Sequence, residues 1–376
     1  MKISAVKSFV VGSCMSPDGW TRSKPFVFVR VETEDGLVGW GEAYALNFQE
    51  GSIALLVEEL GRHLLGTDPL AVRDLAANAF TRLGDRRAGL SFYAALSGLE
   101  LALWDIVGKH RELPLYRLLG GPCQQRVRLY ANFWSTEAHD TEAMVERAVE
   151  MVEQGFGAIK IYPFMCPTID AAVERVASVR AAIGPDIDLM IDLSGREDPS
   201  LAARAIPRFR EFNPYWIEEP VASHDLYHLA KFTADHPEPI VSGERLYGLY
   251  TIRELLERRA ANLINPDITA CGGLQTLLDI AAMASAYAVP VSPHNYNSNT
   301  VGLAACLQVA ALSSNCPIVE YFPYFQPISN AISEGRLNIE AGYAALPDAP
   351  GLGIELDEVA LLSHADGDGI PYRINN

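Results

Sequence analysis

The spacing of apolar and polar positions divides the first 120 residues into strand-like and helix-like stretches. Apolar residues alternate with polar ones in three early runs, which predicts an antiparallel meander over 3–11, 25–31 and 37–42. Apolar residues then recur every three or four positions in three longer runs, which predicts helices over 53–65, 71–83 and 90–107. The pattern therefore indicates an α+β unit at the start of the chain.

A regular repetition of strand, turn and helix begins after Gly120-Gly121-Pro122, a sequence that ends a helix and marks a domain boundary. Eight short apolar runs are predicted strands: 127–131, 158–161, 189–192, 216–218, 240–242, 263–265, 289–292 and 318–320. Helical patterns separate them, which favours a parallel sheet, and eight parallel strands close a barrel. A doubly wound open sheet is the alternative, but no G-x-G-x-x-G follows a strand and no Walker phosphate loop occurs.

The predicted fold class is therefore α/β, and the chain divides into three segments. Residues 1–125 form the α+β cap and residues 126–341 form the barrel. Residues 342–376 form a tail, rich in Pro and Gly over its first part, that packs back on the cap.

Composition indicates a globular protein of a reducing compartment. The chain has 376 residues and 49% hydrophobic content, enough for a large core. Its formal charge of −17, without any run rich in Lys or Arg, argues against nucleic acid and membrane surfaces as partners. The six cysteines form no C-x-x-C pair, no signal-peptide pattern occurs, and the longest apolar run, 280–291, is too short to span a bilayer. We expect a cytoplasmic homo-oligomer.

Three carboxylates at strand ends share one spacing. Asp192, Glu218 and Glu244 follow one another at intervals of 26 residues, which fits one strand plus one helix. Consecutive strands of a barrel place such residues at the same end, where barrel active sites are built. Three converging anions repel one another unless a cation joins them, and an all-oxygen ligand set suits Mg²⁺. The spacing therefore predicts a Mg²⁺ site.

Other strand ends carry groups suited to removing a proton from carbon. Lys160 and Tyr162 lie two apart on the second predicted strand, and hence on one face of it. Asp267, His294 and Glu320 follow the later strands. A hydrogen next to a carboxylate is a weak acid, so the enediolate that forms needs the charge of a metal and a lysine. His294 can act as the base, with Asp267 fixing its tautomer.

Short motifs resemble those of the enolase superfamily, and within it the mandelate racemase subgroup. In chain order they are Gly39-Trp40-Gly41-Glu42, the run GLELALWDI at 98–106, Trp216-Ile217-Glu218-Glu219-Pro220 and Ser242-Gly243-Glu244. The resemblance covers nearly the whole chain. It implies a (β/α)₇β TIM-like barrel with an α+β capping domain formed by the N-terminal segment and the C-terminal tail.

The resemblance also implies roles for the residues at the strand ends. Asp192, Glu218 and Glu244 would bind Mg²⁺. Asp267 and His294 would form the catalytic dyad, and Glu320 would donate a hydrogen bond to the substrate carboxylate. These roles agree with the chemistry inferred from the residues themselves.

Two positions depart from the pattern of the family. Many members carry Lys-x-Lys on the second barrel strand, but this chain reads Lys160-Ile161-Tyr162, which disfavours racemisation by two bases. Tyr162 is either an acid/base group or part of the pocket wall. Two residues after the first metal ligand, where relatives often carry Asn or His, the chain has Ser194, which we expect to bind substrate.

The resemblance predicts a Mg²⁺-dependent dehydratase that converts an acid sugar, an aldonate or aldarate, to a 2-keto-3-deoxy acid. Alternatives are an epimerase, racemase or lactone cycloisomerase of the same superfamily, or a non-catalytic sugar-acid binding protein. Glu219 is expected to pair with a cation, either Lys160 or Arg245. Four residues of the cap loops should face the barrel mouth by resemblance: Trp20, Arg22, Phe48 and Gln49.

Overall fold

The computed structural model describes residues 1–12, 24–81, 89–133, 140–164, 168–195 and 199–364. Its strands are β1 Ile3–Gly12, β2 Pro25–Thr33, β3 Val38–Ala43, β4 Arg126–Asn132, β5 Ala158–Ile161, β6 Asp188–Asp192, β7 Trp216–Glu218, β8 Ile240–Ser242, β9 Leu263–Ile264, β10 Val319–Tyr321, β11 Ser333–Glu334, β12 Ile339–Glu340, β13 Tyr343–Ala345 and β14 Glu355–Leu356. Its α-helices are α1 Glu50–Arg62, α2 Val72–Ala79, α3 Leu90–His110, α4 Leu115–Leu118, α5 Thr141–Glu153, α6 Ile169–Ile183, α7 Pro199–Phe209, α8 Leu226–Asp235, α9 Gly248–Glu257, α10 Leu274–Ala286, α11 Thr300–Leu312, α12 Gln326–Ile332 and α13 Glu358–Ser363. Within these described ranges, 3₁₀ turns occupy Arg210–Phe212 and Pro323–Phe325.

The N-terminal unit contains the predicted meander, with strands β1, β2 and β3 paired antiparallel in that order. Helix α3 packs closely on this sheet because Gly39 and Gly41 lack side chains. A Cβ atom at either position would collide with a backbone oxygen of the helix. The alternate residues Trp40 and Glu42 point to the opposite face of β3, and Glu42 contacts the barrel.

The predicted α/β barrel is confirmed. Strands β4 to β9 are parallel and pair in sequence order, and β10 returns to pair with β4. Helices follow these strands and cover the outside of the sheet, as parallel strands require. The carboxyl ends of the strands therefore meet at one end of the barrel.

One of the eight predicted strands, at 289–292, does not form. This segment makes only a single β-bridge, between Val291 and Ile264. Pro290 and Pro293 have no backbone N–H, so a continuous ladder cannot form around them. On the other side, the Pro293 carbonyl accepts the N–H of Glu320 at 3.3 Å. Isolated hydrogen bonds, rather than a continuous ladder, thus connect β9 to β10 through this segment and close the barrel.

The barrel interior has an apolar layer beneath a polar one. Inward side chains of successive strands form a buried apolar cluster: Tyr130, Ala158, Met190, Trp216, Val241, Leu263 and Ile318. Side chains two residues further along a strand point in the same direction. Six of those positions are polar: Asn132, Lys160, Asp192, Glu218, Asn265 and Glu320. The alternation of the strands therefore builds a polar site on an apolar floor.

The C-terminal segment contacts both the barrel and the N-terminal unit. Strand β13 pairs antiparallel with β4. Further along, the N–H of Leu352 donates to Asp105 Oδ1 at 2.8 Å, and Glu358 lies 3.3 Å from Lys7 Nζ. The tail therefore packs on the N-terminal unit and also extends the barrel sheet.

Helix α3 is a longer apolar segment than 280–291, which was expected to be the longest. It is long and apolar enough to cross a membrane by length and composition alone, but 72% of its most apolar stretch is buried inside the protein. A helix that is apolar on all sides and covered by its own protein is a core helix.

Candidate active site

Three carboxyl groups meet at the ends of strands β6, β7 and β8. Asp192, Glu218 and Glu244 each place a carboxyl oxygen within 4.8 Å of the other two. Asp192 and Glu218 follow the inward alternation of their strands. Glu244 breaks that alternation, because Gly243 before it has a φ of +142°, a conformation that favours glycine. The interval of 26 residues in the sequence thus corresponds to a cluster in space.

Neighbouring donors hold these carboxyl groups in place. Glu218 accepts hydrogen bonds from Asn265 Nδ2 at 2.9 Å and from Trp216 Nε1 at 3.1 Å. Arg245 Nε lies 3.1 Å from Glu244 Oε1. Fixed orientation of carboxylates by such partners is typical of metal sites.

Lys160 is the cation of the polar layer. Its Nζ lies 2.8 Å from Glu218 Oε1, 2.8 Å from Glu320 Oε1 and 3.8 Å from Asp192 Oδ2. Burial alone would lower the pKa of Lys160, but the carboxylates of Glu218 and Glu320 outweigh it and raise that pKa well above its ordinary value. Lys160 is therefore a fixed positive charge rather than a base.

The carboxyl cluster fits a divalent cation with a preference for oxygen. Burial raises the pKa of Asp192 to about 7 and that of Glu218 to about 8, and the other carboxylates of the cluster add to this effect although Lys160 opposes it. One lysine therefore does not balance the negative charge of the cluster. Three converging carboxylate oxygens suit Mg²⁺, and Asp192, Glu218 and Glu244 would hold it.

His294 and Asp267 make the contact expected of a dyad. His294 Nδ1 lies 2.7 Å from Asp267 Oδ2, while Asp267 Oδ1 accepts the N–H and the hydroxyl of Thr269 at 2.8 and 2.6 Å. With Nδ1 facing Asp267, His294 Nε2 lies 3.1 Å from Glu244 Oε2 and 3.5 Å from Glu320 Oε2. The nitrogen that is able to exchange a proton with a ligand therefore faces the carboxyl cluster.

Glu320 bridges the lysine and the histidine. Burial opposes its charged form, but Lys160 and His294 outweigh burial and hold the pKa of Glu320 below its ordinary value. Conversely, burial would lower the pKa of His294, and the carboxylates of Glu320 and Glu244 raise it well above its ordinary value. An ionised Glu320 only accepts hydrogen bonds. Its expected role as a donor to substrate requires that it take up a proton, and stays a prediction.

Tyr162 occupies the place of the second lysine of many family members. Its hydroxyl accepts a hydrogen bond from Asn132 Nδ2 at 2.9 Å, and Lys160 Nζ lies 5.9 Å from its ring centroid. Burial raises the pKa of Tyr162 well above 10, although Lys160 opposes the shift. The phenol is therefore neutral near pH 7, and it can hold a hydroxyl group or donate a proton but is a poor base.

Two predicted residues contribute differently from expectation. Glu219 accepts hydrogen bonds from the hydroxyl of Ser223 and from Ser242 Oγ at 2.7 Å. Burial raises the pKa of Glu219 to about 7 and the charge of Arg245 opposes that shift, so of the two expected cations Arg245, and not Lys160, is the one that acts on Glu219. Ser194 is exposed, and its backbone supports the site: the N–H donates to Asp192 Oδ1 at 2.6 Å and the carbonyl accepts from Arg245 Nη2 at 3.1 Å. Substrate binding by its hydroxyl stays a prediction.

The N-terminal unit contributes an aromatic ring to the site. The ring centroid of Tyr44 lies 6.5 Å from that of His294, and the ring of Tyr296 lies 6.3 Å from it. The motifs identify neither tyrosine. Phe48 is 97% exposed, so the barrel does not cover it. The other two aromatic or basic candidates of the cap loops, Trp20 and Arg22, lie outside the described residues.

Asn132 and Asn265 belong to the polar layer although the motifs do not identify them. Each lies two residues beyond an apolar inward residue, Tyr130 or Leu263. The same rule of alternation that explains Glu218 would have found both.

Comparisons with known proteins agree with this geometry. Residues 143–360 match the family described as enolase C-terminal domain-like, and residues 16–120 match the N-terminal domain of mandelate racemase / muconate lactonizing enzyme. The chain belongs to the mandelate racemase and muconate lactonizing enzyme family. The resemblance of the sequence motifs is thereby confirmed, as are the two-part fold and the expectation of an enzyme of the enolase superfamily.

Relatives within the mandelate racemase family have more than one activity. A D-galactonate dehydratase of Verminephrobacter eiseniae is 31% identical over 378 residues, which cover 97% of this chain and 94% of that protein. A D-galactarolactone cycloisomerase of Agrobacterium fabrum is 34% identical over 378 residues, which cover 96% of this chain and 98% of that protein. Among solved structures, an enolase from environmental sequencing of the Sargasso Sea has a TM-score of 0.91 and 34% identity, and covers 96% of each chain.

Proposed function

We propose that the protein is a Mg²⁺-dependent dehydratase of an acid sugar, an aldonate or an aldarate, and that its product is a 2-keto-3-deoxy acid. One observation supports this most: the imidazole of His294, oriented by Asp267, faces a carboxyl cluster that also holds a buried lysine. A base, a cation-binding set and a fixed ammonium are the groups that removal of a proton next to a carboxylate requires.

Asp192, Glu218 and Glu244 would bind Mg²⁺, which supplies positive charge that stabilises the substrate carboxylate as it gains electrons. Lys160 adds a second positive charge directly beside Glu218 and Asp192. The substrate enters as an anion, so the excess of carboxyl groups around Lys160 makes a cation necessary for binding as well as for reaction.

In the proposed reaction, His294 Nε2 takes the α-proton, and the electron pair of that C–H bond passes into the carboxylate to form an enediolate. The pair then forms a Cα–Cβ double bond as the bond from Cβ to its hydroxyl breaks. The His294 imidazolium supplies the proton that turns the departing hydroxide into water. The resulting enol tautomerises to the 2-keto-3-deoxy acid.

Tyr162 favours elimination over racemisation. Racemisation needs a second base on the opposite face of the substrate, and a neutral phenol with a raised pKa does not provide one. A lactone cycloisomerase is the second candidate, because a relative at 34% identity carries that name. Both reactions begin with the same proton transfer to His294.

The test uses a panel of mono- and diacid sugars, including D-galactonate and galactarate, in deuterium oxide with added Mg²⁺. We expect loss of water from at least one sugar and formation of a keto acid. His294→Asn should reduce the rate by about 10²- to 10⁴-fold. His228→Asn is the matched control, because His228 lies on the surface with its Nδ1 2.6 Å from Asp225.

Three outcomes would contradict the proposal in different ways. Recovery of a deuterated epimer without any keto acid would indicate an epimerase with a second base. Isomerisation of a lactone without loss of water would indicate the cycloisomerase. Undiminished exchange of the α-hydrogen in His294→Asn would require another base.

A further inference from the structure

The buried carboxyl group of Glu42, on strand β3 of the N-terminal unit, contacts the barrel. One of its oxygens accepts the N–H of Asn299 at 2.6 Å, and the other accepts the N–H of Gly302 at 2.8 Å. Glu42 has no exposed surface and lies outside the proposed set of metal ligands and catalytic residues. The chemistry proposed above gives this residue no role.

The two N–H groups are those that a capping box satisfies. Asn299 is the N-cap of α11, and Gly302 is the third residue of that helix. In a capping box the side chain of the N-cap residue accepts a hydrogen bond from the N–H of the third helical residue. The Glu or Gln side chain of that third residue accepts a hydrogen bond from the N–H of the N-cap residue. Gly302 has no side chain, and Asn299 Oδ1 accepts from Thr300 instead. Glu42 therefore replaces both halves of the capping box from a distant part of the chain.

The capped residue ends the segment that carries His294. Asn299 lies five residues after His294, and residues 294–299 connect the barrel wall to α11. Near its start the segment is tied to the polar layer, because the N–H of Asn295 donates to Glu320 Oε2 at 2.9 Å. Its far end is held by Glu42. The location of this far end therefore depends on the N-terminal unit.

The motif around Glu42 explains how the N-terminal unit fixes this contact. Gly39 and Gly41 let strand β3 lie directly against helix α3, and the N–H of Trp40 donates to Asp105 Oδ2 of that helix at 2.9 Å. The strand that carries Glu42 is thus held against helix α3, and its pairing with β2 holds it within the sheet. A carboxyl group on so rigid a strand can set the position of the backbone that it contacts.

We propose that Glu42 is a positioning residue, which caps α11 from the N-terminal unit and thereby fixes the segment 294–299 so that His294 meets the carboxyl cluster. The proposal rests on the proposed function only for the part played by His294. Docking of the N-terminal unit on the barrel is then a condition for an assembled proton-transfer site.

A second buried glutamate provides a matched control. Glu100 of helix α3 accepts the N–H groups of Leu274 and Gln275, the first two residues of α10, at 2.7 and 2.9 Å. It too caps a barrel helix from the N-terminal unit. However, Asp267 upstream of α10 is held locally by both donors of Thr269, so a shift of α10 need not move it.

The experiment compares Glu42→Gln with Glu100→Gln. Glutamine offers one acceptor oxygen, and its amide N–H₂ group would face one of the two N–H donors. The comparison is made at pH 9, because burial raises the pKa of Glu42 to about 8 and only the ionised carboxylate accepts fully at both oxygens. There we expect Glu42→Gln to speed hydrogen exchange at the amides of the peptide 294–303 about tenfold. With the best acid sugar of the panel, kcat should fall about ten- to hundredfold while KM changes little, since misplacement of a catalytic group mainly affects the reaction step.

Glu100→Gln should be destabilised to a similar extent but keep kcat within about twofold. Glu42→Asp keeps two acceptor oxygens on a shorter side chain and should give intermediate values; it replaces Glu42→Gln if that variant does not fold. Unchanged exchange over 294–303 in the Glu42 variant would overturn the proposal, and so would faster exchange with unchanged kcat. If no sugar reacts even with the unmodified protein, the proposed function fails and the exchange measurement alone decides about Glu42.

Discussion

Replacement of Lys160 by methionine measures how much of the site depends on one buried ammonium. Lys160 has no exposed surface and contacts the carboxylates of Glu218 and Glu320 at 2.8 Å each. Methionine fills most of the same space, so the change is mainly electrostatic. Removal of one partner of a buried ion pair costs about 3 to 5 kcal/mol, because the other charge is left without compensation.

The expected loss lies at the lower end of that range. Two carboxylates lose their partner, which increases the cost, but Glu218 with a pKa of about 8 takes up a proton near neutral pH and limits it. We therefore expect the free energy of unfolding to fall by about 3 kcal/mol. The measurement is urea unfolding with a chelator present, because added metal would partly replace the lost charge. The transition is followed by the intrinsic fluorescence of the five tryptophans, which include Trp216 directly beneath the site.

Arg128→Met is the matched control. Arg128 Nη2 lies 2.8 Å from Asp188, but both side chains are about one-third exposed, at 31% and 32%. Such a pair contributes at most about 1 kcal/mol. If Lys160→Met loses no more stability than Arg128→Met, the polar layer is not held together by the charge of Lys160, and the electrostatic reasoning is refuted.

Three other variants test separate parts of the argument. Glu218→Gln should weaken Mg²⁺ binding at least about tenfold in titration calorimetry; unchanged affinity would remove it from the ligand set. Tyr162→Phe should turn over acid sugar more slowly but not stop, whereas complete loss would indicate a base. Burial raises the pKa of Glu42 to about 8 and that of Glu100 to about 7. Between about pH 5 and 8 the folded state therefore binds more protons than the unfolded state, so the free energy of unfolding should fall as pH rises through this range. The double variant Glu42→Gln/Glu100→Gln should flatten this decline in urea unfolding.

Strand alternation explains why so much of the site was predictable from the sequence. Asp192 and Glu218 lie two residues beyond inward apolar residues, and a regular repeat of strand and helix brings their strand ends together. The segment 289–292 has the apolar composition of a strand, but it contains Pro290 and is followed by Pro293, and these residues prevent a ladder. Composition alone therefore overestimated its regularity.

Alternation does not predict where a side chain points once the strand has ended in a loop. Glu219 follows Glu218 directly, but a φ of +45° turns its side chain toward the hydroxyls of Ser223 and Ser242. No local signal in the sequence announces that turn. Likewise, Glu42 and Tyr44 reach the barrel only because the N-terminal unit docks on it, and a contact between distant parts of the chain has no periodicity to reveal it.

The replacement of a lysine by Tyr162 changes the charge balance of the site as well as its supply of bases. Five carboxyl groups converge near the barrel mouth: Asp192, Glu218, Glu244, Asp267 and Glu320. Among the residues that the structure describes, Lys160 and Arg245 are the two permanent cations that contact them, and a second lysine at 162 would have added another. Without it, the remaining negative charge must be met by protons, by the imidazolium of His294 or by a divalent cation. In the proposed reaction His294 has to be neutral before it can accept a proton, so a bound divalent cation would have to carry that compensation. We therefore expect the base to be available only in the protein loaded with Mg²⁺.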